Sequence, residues 1–502
     1  MKQILIIDCE SQYTKLIAKN IRNLNVYCEI IHYSQFNYNP SNSNIVGLIF
    51  SGSWYSVNNP NSPNIDWNLL KNIPTLSICY SSQHLASSCC NAEIISNTNN
   101  AEFGKTEINL LTDSAIWKNI PKTINVWMSH SDIIKMDDTN VIAKSHNNIP
   151  SAFECNNHIG LLFHPEVYHT EYGNKILNNF CDICNCDYSW TSTNYIDITT
   201  REIRDTVGND NVIMAISGGV DSSVAAKLLH NAIGNQLYCV FINNGLLRLN
   251  EAEIVMSSFA DMNLNVSLVE QEEKFINSLS GITDPEEKRM IIGKEFINSF
   301  VEHSKKLDNI KWLGQGTIYP DIIESSSGER KIKSHHNVGG LPEHLPYKLV
   351  EPLKYLFKDE VRKIGLELGI PDNIINRHPF PGPGLSIRII SDITTEKIHI
   401  LQKADDIYIN TLKEECLYDK IWQAGAILLP IKTVGVMGDC RTYQYTLALR
   451  AVTSVDGMTA QVYPIPSEIL FKISNRIINQ VSGINRVVFD ISSKPPATIE
   501  WE

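Results

Sequence analysis

No stretch of this 502-residue chain approaches the roughly 18 consecutive apolar residues that a membrane-spanning helix needs, so no membrane role is expected. Basic residues are in deficit: 43 Lys and Arg stand against 55 Asp and Glu, a net charge of −12. Such a chain lacks the broad basic face that sequence-independent nucleic-acid binding requires, and no nucleic-acid partner is expected. Small anions are not excluded, because a few backbone amides can hold them. The opening MKQILIIDCESQ has an apolar run too short for a signal peptide and reads as a first buried strand. The 12 cysteines then read as reduced thiols in a cytoplasmic protein. No fixed-period repeat is present. The length is too great for one core, and two to four domains are expected.

Glycine is missing where one short segment would use it. In TLSICYSSQHLA, residues 75–86, Cys79 lies between an apolar run and a stretch able to open a helix. A sharp strand–nucleophile–helix turn normally has glycines two positions either side. Here those places hold Ser77 and Ser81. Cys79 is either a nucleophile or a small packing residue that ends a strand. A second cysteine group, Cys181, Cys184 and Cys186 in CDICNCDYSW, could contribute to a zinc site. No fourth ligand is evident, and free thiols near a domain end are the simpler reading.

What is present is an alternation of apolar runs and amphipathic stretches: QILIID, YTKLIAKNIRNL, VGLIFSG, TLSICY. This argues for an α/β domain around a largely parallel sheet. The polar, aromatic DYSWTSTNY at 187–195 reads as a junction. A second α/β pattern begins at NVIMAISGGVDSS, and RHPFPGPGLS at 377–386 interrupts any helix. In the second pattern an apolar strand, Val212–Ile216, leads into Ser217-Gly218-Gly219, and Val224–Leu229 can run on as a helix. The two glycines allow a tight turn whose N–H groups face inward as an anion nest. The helix N-terminus adds positive potential. The spacing is not that of the lysine-bearing ATPase loop. The segment Ser217, Gly218, Gly219, Val220, Asp221, Ser222 and Ser223 is therefore a candidate pyrophosphate cradle. Asp221 is its candidate Mg²⁺ ligand.

SGGVDSS resembles the pyrophosphate loop of the ATP pyrophosphatases. FINNGLLRLNEAE, DPEEKRMIIGKEF, LGQGTIYPDIIES, EPLKYLFKDEVRKIGLELGIP, RHPFPGPGLSIRI and SKPPATIEWE resemble, in order, the glutamine-hydrolysing GMP synthetases. FHPEV at 163–167 resembles the histidine–glutamate element of class I glutamine amidotransferases. The resemblance implies a multi-domain α/β chain: an amidotransferase α/β domain at 1–189, a doubly wound ATP pyrophosphatase domain at 190–377, and an α+β dimerisation domain at 378–502. It implies ATP-dependent amination of xanthosine 5′-monophosphate (XMP) through an adenylyl-XMP intermediate, with ammonia from glutamine and Mg²⁺ as cofactor. A homodimer is expected.

By residue, the resemblance makes Cys79 the nucleophile, His164 its base and Glu166 the group that orients the base. Gln83 and Gly52 would bind glutamine, 217–223 would bind ATP, and Arg289, Arg388, Lys494 and Glu500 would contact XMP. The family's glycines are replaced at Glu10, Ser53, Ser77, Ser81 and Ser131, and Trp54 could crowd the glutamine pocket. Asn243 stands where the family usually has aspartate. A lid is expected around 325–345. The rivals are an ammonia-dependent synthetase with an impaired or regulatory N-terminal domain, a sensor paralogue, and an enzyme amidating another purine-like base.

Overall fold

The computed structural model describes residues 1–39, 42–96, 101–326, 347–454 and 457–502. The lid expected around 325–345 lies almost wholly outside the described residues. The chain divides into two compact units, Met1–Tyr195 and Ile196–Glu502.

The first unit is built on a nine-stranded sheet. Five strands run parallel, in the order Tyr27–His32, Gln3–Asp8, Ile45–Phe50, Thr75–Ile78, His158–Leu161. Their interior positions, such as Ile4, Ile6, Leu48, Phe50, Leu76 and Ile78, are fully buried. That is why these segments read as continuous apolar runs rather than alternating ones. Four more strands extend the sheet antiparallel: Pro150–Cys155, Val141–Ser145, Glu102–Leu110 and Thr123–His130. The sheet is thus mixed, beyond the largely parallel expectation. Close antiparallel connections explain the difference: only Asn156 and Asn157 join Cys155 to His158, and Asn156 takes φ 56°. Asparagine tolerates that left-handed conformation better than most residues.

The second unit carries a five-stranded, wholly parallel sheet. Its order is Val266–Glu270, Leu237–Asn243, Asn211–Ala215, Ile310–Gly314, Lys348–Val350. The chain turns from one side of Asn211–Ala215 to the other, and such a switch point is where open α/β sheets place ligands. The helix Pro285–Ser304 begins as its sequence dictates: Asp284 accepts the Glu287 N–H at 2.9 Å and Pro285 occupies the first turn, where its missing N–H costs nothing. Further on, the long hairpin Gln423–Met437 and Cys440–Thr453 is joined by Gln461–Val462 and Ile484–Phe489. One apolar core runs from Ile213, Val240 and Leu313 of the parallel sheet through Leu401 and Tyr408 to Leu447 and Ile473.

Candidate functional site

Cys79 sits between the strand Thr75–Ile78 and the helix Tyr80–Cys89, with φ 52° and ψ −111°. A non-glycine residue there stores about 1–3 kcal/mol, so the surroundings must hold it. The Cys79 N–H donates to the Leu161 carbonyl at 2.7 Å, and the Ser82 hydroxyl donates to the Cys79 carbonyl at 2.6 Å. Cys79 is 6% exposed and caps the start of the helix, and its thiol donates to the Ser129 carbonyl at 3.6 Å. Gly52 lies against it: a Cβ on Gly52 would stand 3.5 Å from the Cys79 Cβ and 3.3 Å from His164 Cε1. The fold therefore brings Cys79, Gly52 and His164 together.

His164 Nδ1 and Glu166 Oε1 are 2.7 Å apart, and both residues are buried. Burial works against charge on His164, but the Glu166 carboxylate and the Cys79 thiol outweigh it and raise the His164 pKa well above its ordinary value. Tyr13 packs edge-on against the imidazole with centroids 5.0 Å apart. Gln83 lies one turn along the helix, with its amide donating to the Asp132 carbonyl at 3.0 Å. His130 Nδ1 reaches the same carbonyl at 3.0 Å, although nothing in the sequence singled it out.

The replaced glycines fall into two classes. Ser53, Ser77, Ser81 and Ser131 have ordinary φ, whereas Glu10 takes φ 69°. Ser81 gains something glycine would lack: its hydroxyl accepts the Ile78 N–H and donates to the Phe50 carbonyl, each at 2.9 Å. Ser77 gains nothing comparable, since its buried Oγ has no partner. Glu10 accepts the Trp54 indole N–H at 3.1 Å, and Trp54 stacks on Tyr55 at 3.9 Å. Trp54 is 71% exposed, so its ring points to solvent rather than crowding the pocket.

In the second unit, Ser217–Gly219 links Asn211–Ala215 to the helix Val220–Ile233. Gly218 takes φ 72°, and a Cβ there would come 2.7 Å from Val255 Cγ2, so only glycine fits. The serines brace the turn. Ser222 Oγ accepts the Ser217 N–H at 3.2 Å, Ser217 Oγ accepts the Gly219 N–H at 3.3 Å, and Ser223 Oγ donates to the Gly219 carbonyl at 2.8 Å. Gly316 allows close approach to the loop, its would-be Cβ lying 3.3 Å from the Asp221 carbonyl carbon. One oxygen of Asp221 is paired with Lys358 and the other, buried, has no partner. Arg377 donates to the Gly218 carbonyl at 3.2 Å. Asn243 ends its strand with its amide on Glu270 Oε2 at 2.7 Å. A neutral side chain there avoids setting two carboxylates side by side.

Of the residues expected to meet XMP, the structure joins two. Arg388, 1% exposed, holds Glu500 through two bonds of 3.0 and 2.7 Å. Gln423 also donates to Glu500, at 2.8 Å. Lys494 Nζ donates to the Gly457 carbonyl at 2.9 Å, and Arg289 pairs with Glu286 on its own helix at 2.5 Å. The neighbouring Lys288 is wholly buried and reaches Glu502 at 2.5 Å. Gln423 was missed because it sits in no string with a chemical signature. Lys288, Lys358 and Arg377 were within quoted strings but were not singled out.

Comparison with known proteins covers both units. A family model described as glutamine amidotransferase class-I matches residues 5–184. One described as tRNA methyl transferase HUP domain matches 210–269, and one described as GMP synthase C terminal domain matches 410–501. Proteins named GMP synthase [glutamine-hydrolyzing] align end to end, with 100% of each chain covered. The one from Petrotoga mobilis is 52% identical, that of Porphyromonas gingivalis 51% and that of Cytophaga hutchinsonii 50%.

Proposed function

We infer the chemistry from one premise: this chain belongs to the glutamine-hydrolysing GMP synthase family. It is a ligase that aminates XMP at C2, using ATP as co-substrate and glutamine as amido donor, and yields GMP, AMP, pyrophosphate and glutamate. The assignment of steps to residues is our proposal. The observation that carries it is the coexistence, in one chain, of a strained cysteine elbow facing a His–Glu pair and a glycine turn braced by serines.

In the first unit, Cys79 Sγ attacks the side-chain amide carbon of glutamine. His164, held by Glu166, takes the thiol proton and returns it to the departing nitrogen, releasing ammonia. Water then attacks the thioester and frees glutamate. The Tyr80 N–H, opening the helix, would stabilise the oxyanion. Gly52 leaves room for the substrate beside the sulfur, and Gln83 fixes the wall of the pocket through Asp132.

In the second unit, the C2 oxygen of XMP attacks the α-phosphate of ATP. The turn 217–223 would grip the departing pyrophosphate through its amides and hydroxyls. Ammonia then adds at C2 and AMP leaves. The unpartnered Asp221 oxygen suits a hard divalent cation, and Mg²⁺ held there would neutralise phosphate charge. Glu500 would accept from the base or ribose, with Arg388 and Gln423 holding it in place. Lys494 and Arg289 would meet the nucleotide phosphate.

We retain 1–189, 190–377 and 378–502 as functional segments, the last two sharing one core. A homodimer is supported by the apolar face on the long hairpin, where Ile431, Val434, Val436 and Tyr443 are more than half exposed. No described helix is long and apolar enough to cross a membrane, which is compatible with a cytoplasmic location. The test is steady-state AMP and pyrophosphate release with XMP, Mg²⁺ and ATP, comparing glutamine with ammonium. Release with both supports the whole reading. Release with ammonium alone restricts it to the second unit, and release with neither overturns it.

A further inference from the structure

The three cysteines near residue 181 are not used by the chemistry above. They do not form a metal site: among the described residues, no group of three or more His, Cys, Asp or Glu side chains is placed to hold an ion. Cys184 is packing. Its Sγ stands where a Cβ on Gly47 would be, 2.3 Å away, and it fills the space that glycine leaves.

Cys181 and Cys186 are related differently. The helix Gly173–Ile183 ends in a paired backbone closure: the Cys186 N–H bonds the Cys181 carbonyl at 3.1 Å and the Asn185 N–H bonds the Asp182 carbonyl at 3.0 Å. Asn185 supplies the left-handed residue, with φ 52°. This is the Schellman arrangement, which sets the side chains three positions before the cap residue and two after it in contact. Here those side chains are the two thiols, so the closure sets Cys181 and Cys186 side by side. Cys181 is wholly buried while Cys186 is partly exposed. Lys2 lies beside Cys186, with its ammonium on the Asn185 carbonyl at 2.8 Å and its backbone N–H on Asp187 at 2.9 Å. Its closeness to Cys181, assisted by the Lys2 charge, holds the Cys186 thiol below its ordinary pKa, and the same closeness, with burial, pushes Cys181 up.

We propose that Cys186 and Cys181 are an attacking and resolving thiol pair that closes reversibly to a disulfide on meeting a low-molecular-weight disulfide. The Cys186 thiolate attacks one sulfur of that reagent, forming a mixed disulfide and expelling one thiolate. Cys181 then gives up its proton, attacks the Cys186 sulfur and expels the second thiolate. Two protein thiols are oxidised and one external disulfide is reduced to two thiols. A partly exposed thiolate next to a buried partner is the arrangement that reversible thiol oxidation requires.

The test treats the full-length protein with oxidised glutathione, blocks residual thiols and maps peptides by mass. The expected product is a 181–186 linkage lighter by two hydrogens, absent in Cys186→Ser, retained in Cys184→Ala and erased by a dithiol reductant. Circular dichroism confirms that each variant is folded. A wild-type protein with no such linkage, with a linkage through Cys184, or with glutathione left on Cys186 would overturn the proposal.

Discussion

The two turns proposed for catalysis have the same plan, strand then sharp turn then helix, yet they treat glycine in opposite ways. The turn at 217–219 keeps it. There the positive φ falls on Gly218 itself, and a Cβ would press into Val255. At the elbow the positive φ falls on Cys79, which cannot be glycine if it is to react. The flanking Ser77 and Ser81 have ordinary backbone angles, so a side chain there needs only room, and Ser81 turns that room into two hydrogen bonds. Glycine is demanded by conformation or close approach at a particular residue, and membership of a motif does not by itself demand it.

The largest effect should come from removing the proposed nucleophile. Cys79→Ala is expected to lower the glutamine-driven rate by ~10⁴-fold or more and to leave the ammonium-driven rate unchanged in an AMP-release assay. Glu166→Gln should cost about 10²–10⁴-fold in the same glutamine-driven rate. Its pH profile sharpens the point. Glu166 helps keep His164 protonated above its ordinary range, so its loss lowers the His164 pKa. The protonated form is then lost at lower pH, and the high-pH limb of glutamine hydrolysis should move down. Gly218→Ala should slow pyrophosphate release with either nitrogen source by ~10²-fold through displaced donors, the signature that separates this turn from the elbow. The smallest effect tests the comparison most directly. Ser81→Gly restores the family residue yet removes a hydroxyl that satisfies two buried backbone groups, so thermal denaturation should show a loss of about 1–2 kcal/mol. An increase in stability would mean that the hydroxyl is tolerated rather than used.

The sequence displayed the parallel half of the first sheet, since buried parallel strands announce themselves as apolar runs. The antiparallel half was hidden, because short strands such as Val141–Ser145 and Pro150–Cys155 carry no comparable run. The elbow and the phosphate turn were legible as strings. Which replaced glycines matter was not legible: backbone angle at Glu10 or Ser81 is fixed by packing that no local string records. The same holds for Lys288. Its partner Glu502 lies 214 positions away, and only the folded core brings the two together.

That last contact has a practical corollary. Glu500 and Glu502 supply the counter-charges for Arg388 and Lys288, two cations almost completely withdrawn from water. Removing Glu500-Trp501-Glu502 would leave Lys288 without its ion-pair partner and Arg388 with Asp405 at 3.8 Å, and breaking a buried pair by removing one partner costs about 3–5 kcal/mol. A preparation of this enzyme is therefore best judged by whether residues 500–502 are intact before its kinetics are believed.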